Sequence, residues 1–330
     1  MTAPLDVSGS ELEVAPEPGP VGPAGRAIEG RSLGQIAWTR LKRDKVALTG
    51  AGVVIFLILV AIFAPLIVSG FGHPPNDFNQ DLISTETLAP KDGTGISAAH
   101  LFGVEPVNGR DIFSRVVYGA RISLLIAFLA TLLSVAIGTA LGVIAGYFGG
   151  WVDSLISKTM DVFLAFPLLV FAIALAGIVP DTAFGLSGDT LRVSLLVFII
   201  GFFNWPYIGR IMRGQTLSLR EREFVDAARS LGARGPYIIF REMLPNLVAP
   251  ILIYATLLIP TNILFEAALS FLGVGVRPPT ATWGGMISEA VRFYSIPHFM
   301  FFPGMAIFVT VLAFNLFGDG LRDALDPRAR

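Results

Sequence analysis

The sequence predicts an all-α, polytopic membrane bundle of about six spans, and three observations carry that reading. Of 330 residues, 53% are hydrophobic and only 15% charged, with a mean hydropathy of +0.68, whereas an ordinary soluble domain carries about 25% charged residues. The apolar residues gather into runs of membrane-crossing length. Lys and Arg collect in the segments on one side of those runs. So low a charge content leaves too little polar surface to solvate a compact globule, which excludes soluble enzymes, disordered chains and collagen-like repeats. The chain has no cysteine, which removes disulfide scaffolds, thiol nucleophiles, thiolate zinc sites and iron–sulfur ligation.

Residues 1–34 read as a disordered cytoplasmic tail, rich in Pro, Gly and Ala, with Glu11, Glu13 and Glu17 and no basic residue before Arg26. That is neither a signal peptide nor a transit peptide. Segment 35–69 follows, with a basic flank at Arg40, Lys42, Arg43 and Lys45 and the first apolar run at 46–69. Five further spans are expected at 122–147, 162–180, 193–209, 247–265 and 299–318; the one at 193 is shortest and contains Asn204 and Pro206. With the N-terminus inside, segments 1–45, 148–161, 210–246 and 319–330 hold 17 of the 24 Lys and Arg residues. This asymmetry places both termini in the cytoplasm. The chain then divides into the tail, the first-span unit 35–69, an extracytoplasmic segment 70–121, a core 122–318 and a cytoplasmic end 319–330.

The polar segment 70–121 is expected to carry an amphipathic surface helix from Asn108 onward. Segment 269–298, with Gly273, Gly275, Pro278, Pro279, Gly284 and Gly285, is expected to fold back and line or cap a cavity. Irregular backbone survives near a bilayer only where protein or water satisfies its polar groups. Gly138, Gly142 and Gly146, at four-residue spacing, give one flat helix face that another backbone can approach. Pro167, Pro206, Pro250 and Pro260 sit within or at the ends of spans, where they can kink a helix. Asp161 and Glu266, at span ends with access to the interface, read as structural ion pairs or caps. His73, His100 and His298 are scattered without metal-ligand spacing, and no H-E-x-x-H, G-x-S-x-G or P-loop pattern occurs. The expectation is a chain with no catalytic residues, no metal site and no ATP hydrolysis of its own.

The most informative segment is 220–246. Residues 221–231 form an amphipathic pattern with Phe224, Ala227, Ala228 and Leu231 on one side. Gly232 is suited to a left-handed cap, and Gly235-Pro236 is expected to stop the helix. Adjacent alanines leave no bulk at its centre, so the helix can seat in a groove of another protein, with Arg222, Arg229 and Arg234 available to acidic rims.

Asp226-Ala227-Ala228, Gly232 four residues beyond, and Leu244-Pro245 resemble the EAA loop of permease subunits of binding-protein-dependent ABC importers. Asp226 stands where that family usually has Glu, and Glu242 where it often has an apolar residue. Phe102-Gly103-Val104, the run 109–115 from Gly109-Arg110-Asp111 and the run 118–124 from Tyr118-Gly119-Ala120 resemble the segment before the second span in dipeptide/oligopeptide/nickel-type permeases. So do the runs 266–273 with Trp283-Gly284 and 315–327. Pro106-Val107-Asn108 departs from that family's acidic-Leu pattern. The extra N-terminal span resembles the C-type permease of such systems, and the resemblance covers about residues 35–328.

The resemblance implies a type I ABC importer permease fold in a bacterial cytoplasmic membrane, without enzymatic activity. It implies ATPase coupling through Glu223, Phe224, Asp226, Ala227, Ala228, Arg229, Leu231, Gly232, Leu244 and Pro245. The implied partners are a second, homologous permease, two ATPase subunits that bind ATP and Mg, an extracytoplasmic binding protein and the lipid bilayer, with no nucleic acid. The cargo implied is short peptides moved by alternating access, with a nickel chelate or another small solute as the alternative. Asn262, Glu266 and Ser270, where the fifth span meets the external loop, are the substrate-path candidates. A membrane-embedded enzyme needs a catalytic pair or metal cluster at bilayer depth, and the uncharged spans supply none. A self-contained secondary transporter needs midplane carboxylates and an inverted repeat, neither of which is legible.

Overall fold

Helices account for most of residues 33–325, the part of the chain that the computed structural model describes. Residues 1–32, nearly all of the expected tail, lie outside it. Among the described residues the named strands are a two-residue antiparallel pair, β1 (Thr182–Ala183) and β2 (Leu186–Ser187).

Helix α1 (Leu33–Leu41) leads to α2 (Lys45–Ile62), which is capped by Asp44: its Oδ1 accepts hydrogen bonds from the Val46 and Ala47 amides at 2.9 and 3.1 Å. The run at 46–69 is two helices, because α2 ends before Phe63 and α3 (Ala64–Phe71) restarts with Pro65 in its first turn. The amphipathic surface helix expected from Asn108 is not a separate element. Asp111 caps α4 (Ile112–Phe148), a single helix of 37 residues that runs straight into the second span. No proline lies between 112 and 148, so nothing interrupts the backbone at 122.

The expected span at 162–180 straddles a break. Helices α5 (Gly150–Ala165) and α6 (Leu168–Ile178) meet at Phe166-Pro167, with a bend of 76°. The expected span at 193–209 is too short. Helix α7 (Gly188–Arg220) has 33 residues and continues through Pro206. The charges that end the apolar run, Arg210 and Arg213, pair with Asp161 and Asp153 on α5, so the helix carries them without being broken.

Helix α8 (Glu223–Ser230) ends at Gly232, whose φ of +81° is the left-handed cap that the sequence suggests. Gly235-Pro236 starts a helix rather than stopping one. Pro236 lies in the first turn of α9 (Gly235–Tyr237), where a missing N–H costs nothing. A π-helical stretch (Ile238–Met243) then leads into α10 (Leu244–Phe271). After an irregular loop come α11 (Trp283–Ala290) and α12 (Pro297–Leu325). Among the described residues five helices are long and apolar enough to cross a membrane, or six if the bent α5–α6 pair is one span.

The most extensive packing is α4 against α7. A Cβ on Gly138 would lie 2.7 Å from the Trp205 carbonyl oxygen, one on Gly142 2.5 Å from that of Gly209, and one on Gly146 2.7 Å from Thr216 Cβ. The glycine face therefore brings two backbones together along just over two turns. Ser134 Oγ donates across the same interface to the Gly201 carbonyl at 2.7 Å. Helices α2 and α10 pack against α12. One face of the bundle carries segment 72–111, the β-hairpin and the loop around α11; the opposite face carries α1, α8 and the π-helical stretch.

Replacing Gly142 by leucine forces apart a contact with no spare volume and is expected to cost at least ~1–3 kcal/mol, seen as a lower melting midpoint in detergent. Gly214→Ala, on the same helix pair but with open space around its Cα, is expected to melt at the wild-type temperature or slightly above it, since alanine favours a helix interior by ~0.5–1 kcal/mol.

Candidate functional site

On one face α8 stands on a small apolar base. Val225 is fully buried against Ile238 and Met243, with Tyr147, Leu219, Ala228 and Ala233 packed around them. The cap is bonded throughout: Leu231 N–H donates to the Ala227 carbonyl at 3.0 Å, Gly232 N–H to Arg229 at 2.9 Å and Ala233 N–H to Ala228 at 3.0 Å. Above this base Glu223, Phe224, Asp226, Ala227, Arg229, Leu231 and Gly232 face outward, Leu231 with 88% of its surface exposed. Asp226 and Arg229 pair with each other at 3.2 Å, and the Arg229 guanidinium lies 6.0 Å from the centre of the Tyr147 ring. Leu244 is half-buried and Pro245 exposed in the first turn of α10. A groove of about 460 Å³ opens between Ala228, Gly232, Tyr237 and Glu242. The residue that anchors the helix, Val225, is the one the sequence pattern of Phe224, Ala227, Ala228 and Leu231 passes over.

The opposite face is built on buried charge. The turn at 105–110 is closed by Glu105 N–H donating to the Arg110 carbonyl at 3.0 Å and Gly109 N–H to the Glu105 carbonyl at 3.1 Å. This sets Glu105 beside Arg110, and their side chains pair directly. Arg115, on the first turn of α4, lies 3.1 Å from the other Glu105 oxygen. Glu289 on α11 reaches Arg110 at 3.2 Å and Arg115 at 3.6 Å. Burial, with Arg115 alongside, pulls the Arg110 guanidinium down to about 10, against the attraction of Glu289. Two guanidinium groups thus face two carboxyl groups. Arg115 also donates to the Pro279 carbonyl at 3.0 Å, tying α4 to the folded-back loop. That loop lines a cavity of about 240 Å³ whose polar walls are Arg115, Ser270, Arg277, Thr280, Ser288, Glu289 and Arg292.

The three substrate-path candidates fall in different places. Asn262 is fully buried: its amide donates to Thr131 Oγ at 2.8 Å and accepts from Asn204 at 3.0 Å, linking α10 to α4 and α7. Glu266 does not reach the interface. It is fully buried, and a hydroxyl rather than a cation meets it: Ser270 Oγ donates to it at 2.7 Å. Only Ser270 of the three lines the cavity. Asp161 does form an ion pair, with Arg210. The histidines are not all scattered: His73 and His100 stack with ring centres 4.4 Å apart, and Asp111 lies beside His100. The sequence reading misses Glu105, Arg115, Glu289, Thr131 and the role of Asn204. Arg115 is the available signal: it stands among Ile112, Phe113, Val116 and Val117, and a cation in apolar surroundings must face a partner.

Removing one member of this charged quartet leaves its buried partners uncompensated. Glu105→Gln is expected to destabilise the protein by ~3–5 kcal/mol, and Glu105→Gln with Arg110→Met by less than the single change, measured by thermal melting of the detergent-solubilised protein.

Comparison with known proteins accords with this geometry. Residues 138–330 match the family model of the binding-protein-dependent transport system inner membrane component. Residues 32–90 match that of the N-terminal TM domain of oligopeptide transport permease C. The dipeptide transport system permease protein DppC of Alkalihalophilus pseudofirmus is 42% identical over 295 residues, covering 89% of this chain and 90% of its own. The glutathione transport system permease protein GsiD of Shigella flexneri is 45% identical over 294 residues, with the same coverage. Among solved structures, a chain of the MetNI methionine ABC transporter in an inward-facing form matches with a TM-score of 0.54 at 17% identity, covering 65% of this chain and 98% of that one. The fold is therefore that of an ABC importer permease. The chain belongs to the family of inner-membrane permease components of binding-protein-dependent transport systems, of the oligopeptide C type, multi-pass subunits that bind no cofactor and leave ATP hydrolysis to a separate subunit.

Proposed function

We propose that this chain, with a second similar permease, forms the path by which short peptides enter the cell, both termini lying in the cytoplasm. A binding protein supplies the cargo on the outer face and two ATPase subunits drive the cycle from the inner face. The single observation that carries this reading is α8: a helix with an outward surface of small and charged residues, fixed on a buried base at the face opposite the charged cavity. The relatives named for dipeptide and glutathione transport support a peptide cargo, and the clustering of Lys and Arg supports the orientation.

In this reading α8 is a rigid lever. Val225, Ile238 and Met243 tie it to the π-helical stretch that becomes α10, and Leu219 ties it to the end of α7. A push on the outward residues, among them Glu223, Phe224, Asp226, Ala227 and Leu231, is carried into the two helices that hold Asn204 and Asn262. The ATPases bias the cycle only if they bind the inward- and outward-facing states with different free energies. On the outer face, the loop around α11 displaces cargo from the binding protein, with Ser270 at the cavity wall and Asn262 and Glu266 holding the helices behind it.

Because the chain is cysteine-free, Leu231→Cys introduces a unique thiol. In the complete transporter it is expected to crosslink to the ATPase in a nucleotide-dependent manner. Leu231→Asp is expected to lower uptake of a labelled dipeptide at least ~10-fold with the complex still assembled. A thiol at 231 that reacts with an impermeant reagent from outside the cell overturns both orientation and coupling. Uptake of nickel but not of dipeptide or glutathione overturns the peptide assignment alone.

A further inference from the structure

We propose that His73, His100 and Asp111 form a binding site for a divalent transition metal of the zinc class. The three come from separate pieces of chain: His73 follows the end of α3, His100 lies in the loop beyond it, and Asp111 is the cap of α4. One donor atom from each lies within 4.8 Å of the other two. Two of the residues are buried, and His100 Nδ1 stands 3.0 Å from Asp111 Oδ1.

Two further features point to a ligand. The first is His73 Nδ1, a buried ring nitrogen without a hydrogen-bond partner; such an atom is costly unless something binds it. The second is the support around the donors. Ser114 donates to Asp111 Oδ2 from its amide at 2.8 Å and its hydroxyl at 2.6 Å, which leaves Oδ1 to face the rings. The same Ser114 Oγ accepts the His73 amide at 3.1 Å, so one residue orients two of the three donors. This is the outer-shell bonding that fixes metal-binding carboxylates and imidazoles. Gly72 permits it: a Cβ there would collide with Ser114 Oγ and lie 3.4 Å from Asp111 Oδ2.

Two imidazoles and one carboxylate suit zinc, with a fourth position left to water; calcium and magnesium want oxygen ligands throughout. Zinc bonds of about 2.0–2.2 Å require the donors to draw together from within 4.8 Å, so that His73 and His100 give up their stacking when the ion binds. The bound ion joins residues 38 apart in sequence across the 73–111 loop and clamps that loop to the head of α4. This site is independent of the cargo and of the coupling role of α8.

The test uses the full-length chain purified in detergent, stripped with EDTA and reloaded with zinc chloride. One zinc per chain is expected, with tetrahedral d–d absorption when cobalt(II) replaces it. His73→Ala and His100→Ala are each expected to weaken zinc at least about 100-fold, and Asp111→Asn, which keeps the helix cap, at least about 10-fold. Asp92→Asn, exposed in the same loop, leaves zinc binding unchanged. No zinc on the wild type, or undiminished zinc on folded His73→Ala and His100→Ala proteins, overturns the site. If those variants do not fold, the wild-type cobalt spectrum decides, and absence of tetrahedral bands overturns it. Displacement of zinc by a thousandfold excess of calcium or magnesium overturns the metal class.

Discussion

The contact between α4 and α7 is the constraint on which the rest of the structure depends. Two helices in a bilayer gain little by hiding from lipid, because lipid is as apolar as they are; close packing and hydrogen bonds must hold them together. Gly138, Gly142 and Gly146 remove every side chain from one face of α4, so that it rests on the backbone of α7 at Trp205, Gly209 and Arg213. Other elements are located from this pair. Met160 of α5 reaches Gly209, and the Thr131–Asn262–Asn204 chain of hydrogen bonds pins α10 to both helices. Helix α12 packs against α10, and α2 completes the bundle against α12 and α4.

The two ends of this bundle are built on opposite principles. At one end Glu105, Arg110 and Arg115 are taken out of water together, with the half-buried Glu289 beside them. A buried group of charges repays its desolvation only when each member is met by another, so it tolerates few alternative arrangements. It fixes the register of segment 72–111, α4 and α11, and it makes a polar cavity wall beneath the folded-back loop. At the other end α8 commits Val225 to its base, with Ala228 packed beside it, and leaves most of its other side chains exposed. An exposed helix on a fixed base transmits a displacement, whereas the same helix on a flexible loop would absorb it.

Periodicity and composition made most of the bundle legible. The membrane class, the first span, the glycine face, the position of α8 and its glycine cap all follow from local rules about apolar runs, close packing and φ > 0. Boundaries were less legible wherever a distant partner changed the cost of a residue. Arg210 and Arg213 read as the end of a span, yet Asp161 and Asp153 on α5 neutralise them and α7 continues to Arg220. Pro236 read as a stop, because sequence alone does not say whether a proline falls in the last turn of one helix or the first turn of the next.

By itself the sequence determined that this protein lives in a membrane and presents a short small-residue helix of the EAA type, since both depend on residues near one another in the chain. Only the tertiary structure decided which polar residues act together. Glu105 and Glu289 are 184 positions apart, and Thr131 and Asn262 are 131 apart. His73, His100 and Asp111 have no spacing that any motif would flag, and meet only because α3 returns the chain to the head of α4. The reason is electrostatic. A buried polar group is stable only against its partner, and partnership is a property of positions in space that the order of residues does not display.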